Sequence, residues 1–370
     1  MVVITGLSVG INITLVKYVT WGIVMLFSAL FISKIKLANS NFDYNLLLIL
    51  LGTLLLSSSY SSNQLDGFLG ALIIISFCLF LLIYSSELGF YCLSSEIIKL
   101  LKVLVVVSWI VYVFIPGFGV TVQPYTGETR MSGLFHPNTL AKTSGVLVLF
   151  ILTENRLMKD WLYAVISLLA ILLSGGKTAL IALFIVMGIY VLKEVRIDVR
   201  LWFGALLLSF FSILILFPEI IEFIFILLSR SGSISEITSL SGRGTLWTLL
   251  VLDFINSPIF GYGFGAVGIM TEQHALNYGF WKPGHSHNTI LEVVLSGGVI
   301  AGLPLIIIYL KYIYKSVTFQ LKGFDYIIVY LLICGFSAPL ISHKPDLTSL
   351  MFLCFLLLNG KKQENYESVS

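Results

Sequence analysis

The chain is poor in charge. Of 370 residues only 11% are Asp, Glu, Lys or Arg, while 58% are hydrophobic and the mean hydropathy is +0.99. Soluble domains carry roughly 25% charged residues. Less than half that share cannot cover a water-soluble surface, which excludes a soluble enzyme, a disordered chain and a coiled coil. Cysteine is also scarce: Cys78, Cys92, Cys334 and Cys354 fall in or beside apolar runs, without metal-ligand spacing or a paired framework, so they read as small core residues. No small-residue cleavage site follows the first apolar run, so no cleavable signal peptide is expected. Internal repeats, low-complexity tracts and linkers are missing as well. The apolar residues come in long runs, not in alternation, which excludes a β-barrel. The net charge of +3 says nothing for nucleic acid, and none is expected as a partner.

What is present is a series of apolar runs. The expected fold is all-α, a polytopic transmembrane bundle of about eleven spans near residues 13–33, 44–60, 67–85, 97–116, 136–153, 161–175, 178–193, 201–217, 288–310, 325–342 and 346–359. Residues 1–16 are ambiguous between a further short span and a surface helix. Fourteen of the 22 Lys and Arg fall on alternate loops: Lys34 and Lys36, Lys99 and Lys102, Arg156 and Lys159, Lys193, Arg196 and Arg200, Lys311, Lys315 and Lys322, and Lys361 and Lys362. These loops are expected to be cytoplasmic. The other side holds Lys17, Arg130, Lys142, Lys177, Arg230, Arg243, Lys282 and Lys344. The expected organisation is one transmembrane domain over 1–360, with an outer-side loop at about 218–287 carrying short amphipathic helices, and a polar cytoplasmic tail at 361–370.

Notable polar residues gather on the outer side. One loop carries Arg130-Met-Ser-Gly133-Leu-Phe-His136-Pro137-Asn138, a turn reads Ser174-Gly-Gly-Lys177-Thr, and the long loop holds Gly242-Arg243 and then His285-Ser-His287-Asn288. Leu246, Leu249, Leu250 and Phe254 are spaced for a helix beginning near Arg243, with Ser241 as N-cap. A cation in a first turn opposes the helix dipole, unless an anion binds there and is held by both. The alternative is an arginine paired with Asp253, Glu236 or lipid headgroups. Lys177 follows Gly175 and Gly176 at the start of another helix; the glycine a P-loop needs is replaced by Ile171, and a snorkelling lysine is the plain alternative. His287, at the mouth of a span, suits a general base near neutral pH. Glu292 lies five residues on, placed to orient a histidine or bind sugar hydroxyls. His285 and His287 could ligate a metal, but no third or fourth ligand is near in sequence. The Pro258 to Gly265 run reads as a turn, and Gly297-Gly298 with Gly302 as close helix packing. His136, His274 and His343 have weaker claims.

The ordered set Arg130-x-x-Gly133-x-Phe135-x-Pro137-Asn138, Ser174-Gly-Gly-Lys177, Gly242-Arg243-x-x-x-x-Trp247 with Pro258-x-x-Gly261-x-Gly263-x-Gly265, and His287-Asn288-x-x-Leu291 before Gly297-Gly298 resembles the O-antigen polymerase and O-antigen ligase superfamily over about residues 100 to 310. The resemblance implies a metal-independent membrane glycosyltransferase without cofactor. Its donor would be an undecaprenyl-pyrophosphate-linked oligosaccharide at the periplasmic face of the inner membrane. Arg243 would hold the pyrophosphate and His287 would be the base. Arg130, Lys177, His285, Asn288 and Glu292 would bind substrate, although Lys177 stands where the family often has an arginine. A chain-length regulator and a flippase are expected partners. The leading expectation is a polymerase that moves the growing glycan onto another lipid-linked repeat. The alternative is a ligase with lipid A-core as acceptor, and a polysaccharide transporter or flippase is the distant one.

Overall fold

The computed structural model describes residues 13–31, 42–88, 90–122, 127–154, 156–194, 243–279 and 283–367. The expected span at 201–217, most of residues 1–16, the first part of the long outer loop with Arg230, Ser241 and Gly242, and Lys282 lie outside the described residues. So does Glu236.

The described chain is helical apart from one small ribbon. The helices are α1 (Ile13–Leu30), α2 (Phe42–Ser57), α3 (Gln64–Leu88), α4 (Phe90–Phe114), the single turn α5 (Pro116–Gly119), α6 (Pro137–Thr153), α7 (Leu157–Leu173), α8 (Lys177–Glu194), α9 (Arg243–Asn256), α10 (Ala266–Tyr278), α11 (Thr289–Val317), α12 (Asp325–Cys334) and α13 (Leu347–Glu367). Strand β1 (Val120–Val122) pairs antiparallel with β2 (Thr129–Met131), setting Thr121 opposite Arg130. This ribbon is a small departure from the all-α expectation.

Four described segments are long and apolar enough to cross a membrane: Phe42–Tyr60, Gln64–Glu87, Cys92–Phe114 and Thr289–Val317. Shorter apolar helices include Thr20–Leu30, Pro137–Thr153, Asp325–Cys334 and Leu347–Asn359. The membrane-helical class stands; the figure of about eleven spans is not reached by these segments. α6 is buried on almost every side and forms the centre of the bundle, as expected of a helix apolar all round. Leu162, Leu169 and Leu172 of α7, Phe184 of α8 and Leu303, Leu310 and Ile313 of α11 point outward. A belt of exposed leucine, isoleucine and phenylalanine is what hydrocarbon covers.

The ends of the helices alternate in character. At one end Lys102 meets Asp160 (2.7 Å), Lys311 meets Asp43 (2.7 Å), Lys315 meets Asp325 (3.1 Å) and Tyr326 donates to Glu194 (3.1 Å). These acids lie in first turns or at a last turn, and the first-turn carboxylates also suit the helix dipole. Arg130, Ser174, Arg243, His285 and His287 lie at the opposite helix ends. From Glu292 to Lys311 the rise is about 28 Å, close to the thickness of a hydrocarbon core.

Two elements differ from expectation for identifiable reasons. The span expected at 325–342 is a helix only to Cys334; residues 335–346 are turns and loop. Gly335 and Pro339 break it, and the Thr289 N–H donates to the freed Gly335 carbonyl at 2.8 Å. The Gly297-Gly298 pair lies against Leu54 and Ser57 of α2 and also breaks α11. Gly298 has φ 63° and ψ −160°, open in practice to glycine alone, and a Cβ there would lie 1.9 Å from the Ile259 carbonyl oxygen. The break frees backbone groups, and the Pro258–Gly263 turn takes them up: Tyr262 N–H donates to Leu295 O (2.7 Å), Gly263 N–H to Ser296 O (2.9 Å), and Val299 N–H to Pro258 O (2.8 Å). The glycine-rich run is therefore a docking strap that fixes α9 and α10 against α11.

Candidate active site

Leu246 and Leu250 of α9 are fully buried against Val267 of α10 and Leu295 of α11. The helical spacing seen from Arg243 onward thus seats α9 on its neighbours, while Val251, Leu252 and Ile255 remain exposed. This places Arg243 at the N-terminus of α9, beside the histidine loop. Trp247, one turn further on, donates its indole N–H to the Ser286 carbonyl at 2.9 Å. Asp253 cannot be the partner of Arg243, because it lies about 15 Å further along the helix and contacts His274 Nε2 at 2.6 Å.

The loop from Pro283 to Asn288 is held from several sides. Thr271 Oγ1 donates to Pro283 O (2.7 Å), Ser286 N–H donates to Glu292 Oε2 (2.9 Å), and Ser286 Oγ donates to Asn288 O (2.7 Å). Asn288 caps α11, its Oδ1 accepting from Ile290 N–H (2.9 Å) and Leu291 N–H (3.2 Å). Glu292 is buried beneath the loop at 1% exposure, where its carboxylate organises the loop. His287 has φ 56°, left-handed backbone uncommon outside glycine. Its N–H donates to His285 Nδ1 at 3.1 Å, and the two rings lie 4.0 Å apart. The His287 ring hydrogen-bonds the Ser337 backbone in the 335–346 loop.

Both histidines are held neutral. Burial lowers the His285 pKa to about 4, assisted by the charges of Lys142, Arg243 and His343 and opposed by Asp346. His287 is pushed lower still by burial, then by His285, Arg243 and Lys142. The charges of Arg243 and Lys142 therefore converge on one pair of imidazoles.

Arg130 lies 3% exposed. Its Nε donates to Ser174 O (2.6 Å) and its terminal guanidinium nitrogen to Asn138 Oδ1 (2.8 Å). It ties the β-ribbon to the Ser174–Lys177 turn and to α6. Gly176 packs so closely on α6 that a Cβ there would lie 2.2 Å from the Ala141 Cβ. Lys177 opens α8 beside this junction. His136 caps α6, its Nδ1 accepting from Asn138 N–H at 3.3 Å. Asn138 and Lys142 sit one turn apart on α6, so this helix joins the Arg130 cluster to the histidine pair.

Lys142, Trp247 and Asp346 were not singled out among the candidate residues. Lys142 carried a signal, a lone lysine within an apolar run. Asp346 is brought to His285 by the broken 335–346 loop, which the hydropathy of that stretch conceals. Among the described residues, no group of three or more His, Cys, Asp or Glu side chains is placed to hold a metal ion.

The family described as O-antigen ligase matches residues 162–306. That match spans α7, α8, α9, α10, the histidine loop and the broken part of α11. Over this segment the chain is similar to the O-antigen ligase family. A ComP-specific O-oligosaccharyltransferase of Acinetobacter baylyi is 23% identical over 266 residues, which is 66% of this chain and 47% of that protein. The chain thus spans about half the length of this curated relative. The order of motifs has a structural counterpart: the arginine helix, glycine strap and His-Asn loop pack directly on one another.

Proposed function

We propose that the protein transfers an oligosaccharide from a polyprenyl diphosphate to an acceptor hydroxyl, in a ligase-type reaction at the outer face of the inner membrane. The single observation that carries this reading is the convergence of the Arg243 and Lys142 charges on His285 and His287 at one end of the bundle. Arg243, at a helix N-terminus, and Lys142 suit diphosphate oxygens. Lys177 adds charge at the start of α8. Arg130, Asn288 and Glu292 act through position: the first locks the Ser174–Lys177 turn, the others shape the histidine loop.

In the reaction, His287 accepts the proton of the acceptor hydroxyl as its oxygen bonds to the anomeric carbon. The bond from that carbon to the diphosphate oxygen breaks, and its electron pair leaves with the diphosphate. Arg243 and Lys142 stabilise that charge, which is where most of the rate enhancement arises. These cations disfavour a protonated imidazole. A bound diphosphate neutralises them and raises the His287 pKa toward a useful range. His285 packs against His287, and Asp346 partly opposes the lowering of its proton affinity.

The ligase-type reading takes precedence over the polymerase expectation because the matched family is described as O-antigen ligase and the relative as an O-oligosaccharyltransferase. Undecaprenyl as the lipid, lipid A-core as the acceptor, and a flippase and chain-length regulator as partners are the natural completion of this reading. Deleting the gene and running lipopolysaccharide on a gel tests it. Bare core with long lipid-linked chains is the expected result. One repeat unit on the core would instead make the protein a polymerase, and unchanged lipopolysaccharide with loss of a glycoprotein band would make the acceptor a protein.

A further inference from the structure

A second polar cleft lies at the far end of α9. It has a volume of about 530 Å³ and is lined by Tyr60, Ser62, Asp253, Tyr262, Gln273 and His274, with Ile269 and Met270 supplying apolar surface. That volume is in the range of small-molecule sites. Asp253 and His274 meet at 2.6 Å, and their side chains keep 21% and 18% exposure, so the pair is accessible from the cleft. The Tyr262 hydroxyl donates to the Asp253 carbonyl at 2.8 Å, and the Tyr60 hydroxyl to the Phe260 carbonyl at 2.5 Å. Both phenols are thereby fixed, and their rings form part of the wall. The glycine strap holds this wall in place, since Phe260 to Gly263 lie within the segment docked on the α11 break.

The lining chemistry selects a ligand. Among the described residues no lysine or arginine lines the cleft, so those residues offer little to a diphosphate. A carboxylate paired with an imidazole, an amide, a serine hydroxyl and two aromatic rings suit an uncharged ring rich in hydroxyls. The carboxylate and amide oxygens accept from hydroxyls, the amide and imidazole nitrogens can donate, and the rings cover the apolar face of a sugar. The cleft is also in register with the candidate active site. Asp253 and Arg243 share α9, and the helix rise separates them by about 15 Å, a span bridged by a few sugar rings. We propose that the Asp253–His274 cleft is a glycan subsite that binds an uncharged sugar remote from the bond being made. This rests on the proposed transferase function. The bound sugar belongs either to the donor's glycan or to the acceptor's.

The test uses the full-length protein in detergent and two probes. One is the oligosaccharide released by mild acid from the lipid-linked pool of the cells that express the protein, followed by saturation-transfer NMR. The other is geranylgeranyl diphosphate, which carries no sugar. Asp253→Asn, His274→Ala and Gln273→Ala should each weaken oligosaccharide binding about ten-fold, the loss expected for one hydrogen bond to a charged or polar partner, and leave geranylgeranyl diphosphate binding unchanged. Gln273 is exposed and outside the ion pair, so that variant stays informative if the others fail to fold. Unchanged oligosaccharide affinity in folded Gln273→Ala and His274→Ala proteins would overturn the subsite, as would a wild-type protein that binds the diphosphate and no oligosaccharide. A wild-type protein that fails to bind geranylgeranyl diphosphate would count against the transferase reading itself. In turnover, a KM increase confined to the lipid-linked donor assigns the sugar to the donor, and one confined to a saccharide acceptor assigns it to the acceptor. A KM increase confined to a polypeptide acceptor, with oligosaccharide binding unchanged, would overturn the proposal.

Discussion

His287 combines three properties that seldom occur together. Its backbone is left-handed, its ring is hydrogen-bonded to the Ser337 backbone, and its proton affinity is suppressed by burial and by nearby cations. A non-glycine residue in this backbone region stores on the order of 1–3 kcal/mol, which the surrounding hydrogen bonds must offset. His287→Ala should lower transfer about 10²–10⁴-fold, the usual worth of a general base, in protein that still inserts into the membrane; initial rates with lipid-linked donor check this. Arg243→Ala should weaken diphosphate binding about 10- to 100-fold, and Arg243→Lys should restore part of it, because lysine keeps the charge but loses the fork of donors. Titration calorimetry reads both. The histidines also set a pH dependence. In the unfolded chain they titrate near 6.5, whereas in the folded protein their pKa values are depressed. The unfolded state therefore binds more protons below about 6.5, and stability falls as the pH drops from there toward 4. Melting in detergent between pH 7.5 and pH 4.5, as on the order of the titration range, should show a falling midpoint. His285→Gln should flatten the slope.

At the scale of the element, the break in α11 governs the architecture of the site. With Gly297 and Gly298 out of helical conformation, Leu295, Ser296 and Val299 present backbone groups to the Pro258–Gly263 strap, and the strap in turn orients α9 with Arg243 at one end and Asp253 towards the other. Gly298→Ala would place a methyl group 1.9 Å from the Ile259 carbonyl oxygen in a conformation unsuited to alanine. It should destabilise the protein by about 1–3 kcal/mol and reduce transfer, read as a lower melting midpoint and a lower rate. Much of this region was legible in the sequence. The arginine, the His-Asn pair and the glycine run stood out because each conflicts with its local apolar context. The use of Gly297-Gly298 was not legible, since composition alone does not distinguish a small-residue packing face from a broken helix. The end of α12 at Cys334 was equally hidden. Residues 335–342 stay apolar enough to extend a span on paper, and the capture of the Gly335 carbonyl by Thr289 depends on tertiary contacts. Asp346 and His343 reach the site through that loop, which is why Asp346 carried no signal in the sequence and His343 only a weak one.

At the scale of the molecule, the described helices form a bundle with two unlike ends. One end is fastened by lysine–carboxylate pairs such as Lys311–Asp43 and Lys315–Asp325. The other gathers Arg130, Lys142, Arg243, His285 and His287 around a strap and a capped helix. The acids of the fastened end lie in the first turns of their helices, as Asp43, Asp160 and Asp325 do. Charge at the site end would steer a lipid diphosphate from the membrane plane, where low dielectric strengthens the attraction. The central claim is that these cations hold a diphosphate beside a neutral His287. Its most direct test is an NMR titration of protein labelled at the histidine ring carbons, with and without geranylgeranyl diphosphate. The account predicts a His287 pKa well below the ordinary value of about 6.5 in the free protein, an upward shift on diphosphate binding, and no such shift in Arg243→Ala. A His287 signal that titrates identically with and without the diphosphate, while the ligand is bound, would contradict it.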